Sequence, residues 1–202
     1  MGDSQVQCAV LYLSCDHYRD LWAAGTQLFT RFWPDCPWPC YLGSNSLPPR
    51  LFGFAPLAGS QPNLDWSALL RDLLKQLPYQ NVLLFLDDFF LTTTADTSGA
   101  RALLAEMDRL GGAHVRLMPH RQYLSAKKES ALVGVHAAGL PYRACLQAGF
   151  WRRDVLLELL RDGESPWDFE ITATRRSEDL RVPFFAAWRN PVPYIDVLER
   201  GK

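Results

Sequence analysis

No stretch of this chain stays apolar for long. Its longest hydrophobic runs, such as VLLFL at 82–86, span about five residues, far short of the roughly 20 that cross a bilayer as a helix. Neither sign of charge dominates. Lys and Arg number 21 against 22 Asp and Glu, for a net charge of −1, so no broad grip on nucleic acid is expected and no transmembrane segment, though peripheral membrane contact stays open. The opening MGDSQVQCAVLYLS lacks the basic stretch and long apolar run of a secretory leader. Cysteines number five, which does not suggest a disulfide framework, and reduced thiols in a cytoplasmic protein are expected. Zinc at Cys36 and Cys40 in CPWPC would need two more ligands. The nearest His is His17 and no second Cys pair follows, so the pair reads as thiols in a Pro-rich loop. Internal repeats, low-complexity tracts and obvious linkers are also missing.

What is present is enough for one globular domain. A chain of 202 residues that is 48% hydrophobic can bury a sizeable core. Fourteen Pro imply long, fixed loops. Seven Trp are core residues in the ordinary case and platforms for sugar rings in the more specific one. The run at 5–14 reads as a buried strand, 18–32 as a helix burying Leu21, Trp22, Leu28, Phe29 and Phe32, and 39–42 as a short strand, with 51–55 as a further strand. Asn63 or Asp65 can cap a helix running to Leu77, where Trp66, Leu69, Leu70, Leu73, Leu74 and Leu77 form a stripe. Asn81 to Leu86 is the clearest strand, 97–110 a capped helix and 114–118 another strand. This alternation predicts an open, mainly parallel sheet covered by helices on both faces. The second half breaks the pattern. A strand is expected over 141–150, a helix over 153–160, and short strands over 184–188 and 194–198.

Two acidic constellations stand out. In FLDDFFL, at 85–91, a buried strand delivers Asp87 and Asp88 to its C-terminal end, where open α/β sheets bind ligands. Adjacent carboxylates repel unless a cation or donors lie between them. Mg²⁺ or Mn²⁺ would resolve this and bridge to phosphates; the plainer alternative is a turn cap. In ESPWDFE, at 164–170, an extended stretch would put Asp168 and Glu170 on one face. Burial beside Trp167 and Phe169 would then raise a pKa toward proton transfer, while the plainer alternative is a surface loop. Between them, Ala148-Gly149 would let a ligand approach the backbone. Trp151 either stacks on a sugar or sits in the core, and Arg152 or Arg153 either reaches a pyrophosphate or is solvated.

Several ordered segments carry a resemblance. YLSCDHYRDLW, FWPDCPWPCYLG, LDWSALLRDLL, VLLFLDDFFL, LQAGFWRRDVLLELLRDGESPWDFE and PVPYIDVLERGK together resemble a group of small bacterial GT-A-like glycosyltransferases of surface polysaccharide or lipopolysaccharide synthesis. The likeness runs from about residue 9 to the end. It implies a three-layer GT-A sandwich with a mostly parallel central sheet in a single domain over 1–202. Within it, about 1–118 would form the nucleotide-binding half and about 119–202 the acceptor and catalytic half. It also implies transfer of a sugar from a nucleotide-diphosphate donor to a glycan or glycolipid acceptor, with Mn²⁺ or Mg²⁺. By this resemblance Asp88 is the direct metal ligand, and Asp87 holds the ribose or the metal's water shell. Ser14, Cys15 and Asp16 would meet the nucleobase, and Asp65, Trp66 and Arg71 the nucleoside. Asp168 or Glu170 would be the base of an inverting reaction, with Asp168 preferred. A third metal ligand, commonly a C-terminal His, has no counterpart, since no His follows His136. Two alternatives remain. One is a non-catalytic nucleotide-sugar or glycan-binding protein of the same fold. The other is a sugar nucleotidyltransferase, which usually carries a Gly-rich basic loop that SCDHYRDLW does not supply.

Overall fold

The computed structural model describes residues 8–119, 124–128 and 130–198. Their strands are β1 (Cys8–Leu13), β2 (Cys40–Ser44), β3 (Ala55–Ala58), β4 (Asn81–Leu86), β5 (Phe89–Leu91), β6 (His114–Arg116), β7 (Leu124–Lys128), β8 (Val133–His136), β9 (Gly149–Arg152), β10 (Phe184–Ala187) and β11 (Tyr194–Asp196). The helices are α1 (Arg19–Phe32), α2 (Trp66–Gln76), α3 (Thr97–Arg109), α4 (Arg153–Leu159) and α5 (Pro166–Arg176).

Among these residues, nine strands form one mixed sheet in the order β3-β2-β1-β4-β9-β6-β10-β8-β7, and β11 pairs with β5 in a separate two-stranded sheet. In the large sheet β3, β2, β1, β4, β6 and β10 run the same way, while β9 is inserted antiparallel between β4 and β6. Strands from the second half of the chain thus lie inside the same sheet as those of the first. Alternate residues of β1 feed two cores, as the two-residue pleat requires. Val10 and Tyr12 join Trp22 and Phe29 of α1 and Leu103, Leu104 and Met107 of α3 on one face. Leu11 and Leu13 join Leu69, Leu70, Leu73 and Leu74 of α2, Val155 and Leu156 of α4, and Phe169 of α5 on the other. Burial on both faces explains why β1 and β4 read as continuous apolar runs rather than alternating ones.

Local chemistry sets the helix ends. The Asp65 carboxylate accepts the Ala68 N–H at 2.8 Å and starts α2. Asp96 accepts the Gly99 N–H at 2.9 Å and starts α3, and Gly111 follows it at φ 65°, the left-handed geometry that glycine adopts most easily. On α1 the buried positions are Trp22, Gly25, Thr26 and Phe29. The expected Leu21, Leu28 and Phe32 are not fully buried, because Gly25 sits where a Cβ would overlap the Tyr12 hydroxyl and draws that face onto β1.

Three expectations are corrected. Residues 51–55 make a tight turn closed by a Leu51–Phe54 bridge, with Phe52 at φ 41° and Gly53 at φ 86°, and the strand begins only at Ala55. The stretch 141–150 is irregular until Gly149. PWDFE is the first turn and a half of α5, not an extended segment. Ser165 and Asp168 form a reciprocal capping box and Pro166 occupies the start, a combination that nucleates a helix. The start of the first expected strand, at 5–7, falls outside the described residues.

Candidate active site

From β1 the chain moves to β2 on one side, and from β3 it crosses back to β4 on the other. The gap beyond the C-terminal ends of β1 and β4 is therefore the topological switch point, where α/β sheets open a crevice. A cavity of about 560 Å³ lies there. Ser14 and Cys15 line it from the end of β1, and Asp87 and Asp88 from the end of β4. Because β9 is antiparallel, the residues just before it, Leu146 and Gln147, reach the same edge. Trp66 opens α2, and Trp167 and Glu170 lie on the first turns of α5. Asp196 arrives on β11.

Asp87 and Asp88 form the two-residue link between β4 and β5. The Tyr12 hydroxyl, buried on β1, lies 3.1 Å from the Asp87 carbonyl oxygen and 3.3 Å from that of Phe89, so it can donate to the main chain of this turn. Asp87 is buried. Its carboxylate accepts a short hydrogen bond from the Ser14 hydroxyl, which itself accepts the Trp22 Nε1–H at 2.6 Å. Burial pushes Asp87 up to about 6, against the pull of Ser14 and with repulsion from Asp88 added. Asp88 is likewise pushed up to about 6, first by burial and then by the Asp196 carboxylate. Its Oδ1 is buried with no hydrogen-bond partner among the described residues. Asp196 itself is raised by burial and partly relieved by the Gln147 side chain. Gln147 is fixed in turn by the Tyr194 hydroxyl, which donates to its Oε1 at 2.7 Å and accepts the Ala148 N–H at 3.1 Å.

Glu170 faces this group from α5. It accepts the Leu146 N–H at 2.7 Å, and burial raises its pKa. Trp167 is 61% exposed at the rim of the cavity, where its ring face is open to a stacking partner. Among the described lining residues none is Lys, Arg or His.

Of the residues singled out in the sequence, the cavity thus brings together Ser14, Cys15, Trp66, Asp87, Asp88 and Glu170. The others lie elsewhere. Asp168 is exposed and committed to the Ser165 capping box. Asp16 accepts from Ser44 Oγ at 2.7 Å and from Ser46. Asp65 caps α2 and also accepts the Gly163 N–H at 3.1 Å. Arg71 bonds Asp162 and the Leu160 carbonyl. Gly149 is a sheet residue paired with Leu84, and a Cβ there would meet His114 and the main chain of β6 rather than a ligand. Trp151 is fully buried and stacks on His114 with ring centroids 3.8 Å apart. Arg152 pairs with Asn81 at the opposite edge of the sheet and bonds Asp154, while Arg153 bonds the Leu77 carbonyl.

Asp196, Gln147 and Trp167 enter the site without having been singled out as site residues. Asp196 is a lone acid in a short C-terminal strand, and nothing in its neighbourhood marks it until β11 pairs with β5. No set of three or more His, Cys, Asp or Glu side chains among the described residues is arranged to enclose a metal ion. Asp88 and Asp196 nevertheless present hard oxygen donors, one of them orphaned. That incomplete set fits Mg²⁺ or Mn²⁺, which take one or two carboxylates and complete their shell with phosphate and water.

No helix of the described residues is long and apolar enough to cross a membrane. No family model and no curated protein matches the chain. Among solved structures, it superposes on S. aureus TarS 1-349 with a TM-score of 0.46 at 11% identity, covering 90% of this chain and 60% of that one. A second structure of S. aureus TarS gives a TM-score of 0.48 at 11% identity, covering 90% of this chain and 36% of that one. The chain therefore spans less than two thirds of the length of either neighbour.

Proposed function

We propose that this protein is a glycosyltransferase of GT-A type that moves a sugar from a nucleotide-diphosphate donor to a hydroxyl of a glycan or glycolipid acceptor. The observation that carries this reading is a cavity at the sheet's switch point lined by Asp87, Asp88 and Asp196 together with Glu170 and Trp167. Such a crevice is suited to a nucleotide. The described lining holds several carboxylates, and the nearby Arg116 lies in the adjoining cavity beside Glu170, so the crevice is a poor host for a bare diphosphate.

Asp88 and Asp196 would hold a divalent Mn²⁺ or Mg²⁺ together with the donor's phosphate oxygens. When bound, the ion neutralises the diphosphate and stabilises it as the leaving group. Asp87, fixed by Ser14, keeps the turn in place. Trp66 and Trp167 offer faces on which a base or a sugar ring can stack. Glu170 accepts the proton of the acceptor hydroxyl as that oxygen attacks the anomeric carbon and the carbon–oxygen bond to the diphosphate breaks with inversion. Its burial suits it to this, because a carboxylate raised toward neutral pH is a stronger base. Asp168, the alternative base, is already held by Ser165 and does not line the cavity.

A thermal-shift panel of nucleoside diphosphates and their sugars, with and without Mn²⁺, tests the reading. A cognate donor at about 100 times its Kd should add roughly 2.7 kcal/mol of stability, and only with the cation. Mn²⁺-dependent binding with neither transfer nor hydrolysis would favour the binding-protein alternative. No shift with any member of the panel would end the proposal.

A further inference from the structure

The Pro-rich CPWPC loop lies away from this site. It connects the end of α1 to the start of β2, at the edge of the sheet opposite the cavity. Cys36 and Cys40 bring their sulfurs to 3.9 Å, and Cys40 donates to Cys36. Both thiols also approach the Trp38 carbonyl, at 3.8 Å from Cys36 and 3.5 Å from Cys40. Edge-on aromatic contacts hold the loop in place. Trp38 meets Trp33 edge-on with centroids 5.7 Å apart and Phe150 at 5.2 Å, and Trp33 Nε1 donates to Thr97 at 2.8 Å. Both cysteines are partly exposed, whereas Cys8, the third thiol in this region, is buried.

We infer that Cys36 and Cys40 form a dithiol site that closes reversibly to an intramolecular disulfide, with Cys36 as the attacking sulfur and a small disulfide such as oxidised glutathione as the oxidant. The inference rests on the geometry of the pair and is independent of the proposed reaction. Cys36 is the better nucleophile because the hydrogen bond from Cys40, with help from the Trp38 main chain, favours its thiolate and lowers its pKa against partial burial and the nearby Asp35 carboxylate. The same hydrogen bond and burial hold Cys40 protonated. In the first step the Cys36 thiolate attacks one sulfur of oxidised glutathione, forms a mixed disulfide and releases one glutathione thiolate. In the second, Cys40 gives its proton to a glutathione thiolate and its sulfur attacks Cys36, expelling the second glutathione. Two protein thiols lose two electrons and one glutathione disulfide gains them. The sulfurs need to close by roughly 2 Å to reach bonding distance.

Cys15 is an internal control, since it is partly exposed in the candidate active site and has no thiol partner among the described contacts. After equilibration of the full chain with oxidised glutathione, peptide mass mapping with differential alkylation should find residues 36 and 40 joined, two hydrogens lighter, and restored by dithiothreitol. Any adduct at Cys15 should remain a mixed disulfide. Cys40→Ser should trap a stable glutathione adduct at Cys36, and Cys36→Ser should leave Cys40 largely unmodified. Wild-type protein in which both thiols stay alkylatable, or in which Cys36 keeps its glutathione while Cys40 stays free, would overturn the proposal without recourse to either variant.

Discussion

Asp196 stands against Asp88 at the mouth of the candidate site. The two are joined by strand pairing: Asp196 lies opposite Phe89 in the β5–β11 ladder, and the Val197 N–H donates to the Asp88 carbonyl at 2.9 Å. Their mutual repulsion contributes to the raised pKa of Asp88. The main-chain bonds keep the two backbones adjacent, and a bound cation or a proton would relieve the repulsion between their carboxylates.

Neutralising either member should therefore weaken cation-dependent donor binding. Asp88→Asn and Asp196→Asn are each expected to reduce Mn²⁺-dependent nucleotide-sugar affinity by tenfold or more, a loss of about 1.4 kcal/mol. Without the cation the apo-protein should be no less stable. Titration calorimetry with and without Mn²⁺ reads this directly, and unchanged affinity in both variants would remove the metal from the proposal.

The two carboxylates at the start of α5, Glu170 and Asp168, should separate cleanly. Glu170→Gln should lower turnover roughly 10²–10⁴-fold and leave donor binding intact. Asp168→Asn should leave turnover near that of the wild type and weaken the start of α5, as should Ser165→Ala, at a cost of about 1 kcal/mol. Steady-state kinetics beside thermal melts distinguishes the two outcomes. Loss of turnover in Asp168→Asn with Glu170→Gln fully active would reverse the assignment.

Stability should depend on pH in a defined direction. Asp87 and Asp88 rise from an ordinary 3.8 to about 6 on folding, so the folded state holds protons that the unfolded state has already lost. Their contribution is full below about pH 4 and declines as pH climbs through 6. Cation binding must displace those protons, so Mn²⁺ affinity should rise over the same window. Melts of wild type and Asp88→Asn between pH 4 and pH 8 test the sign, and a wild-type curve rising through this window relative to the variant would contradict it.

Trp167 and Trp151 should behave oppositely. Trp167→Ala removes an exposed rim indole and should weaken ligand binding while changing stability by less than about 0.5 kcal/mol. Trp151→Ala removes a fully buried one stacked on His114 and should cost about 3–5 kcal/mol. Chemical denaturation beside ligand titration would show it, and a stable Trp151→Ala protein defective only in binding would return that residue to the site.

Much of the scaffold is legible because it is local. The apolar run at 81–86 fits a strand buried on both faces, the stripe from Leu69 to Leu77 fits a helix against a sheet, and an acidic pair at the end of such a strand falls where α/β folds bind ligands. PWDFE reads as extended only when side-chain alternation is weighed above the Ser165–Asp168 capping box, a signal that is present in the sequence. The Trp151 and Arg152 alternatives are not separable locally, since the antiparallel insertion of β9 sends Trp151 into the core and Arg152 to the far edge.

The sequence by itself determined most elements of the first half and delivered Asp87 and Asp88 to a strand end, because hydrophobic period and capping chemistry act within a few residues. Only the tertiary structure decided which other side chains share their cavity. Asp196, Gln147 and Glu170 come from distant segments, and their meeting depends on strand order, on the direction of β9 and on the pairing of β11 with β5, which no local pattern encodes.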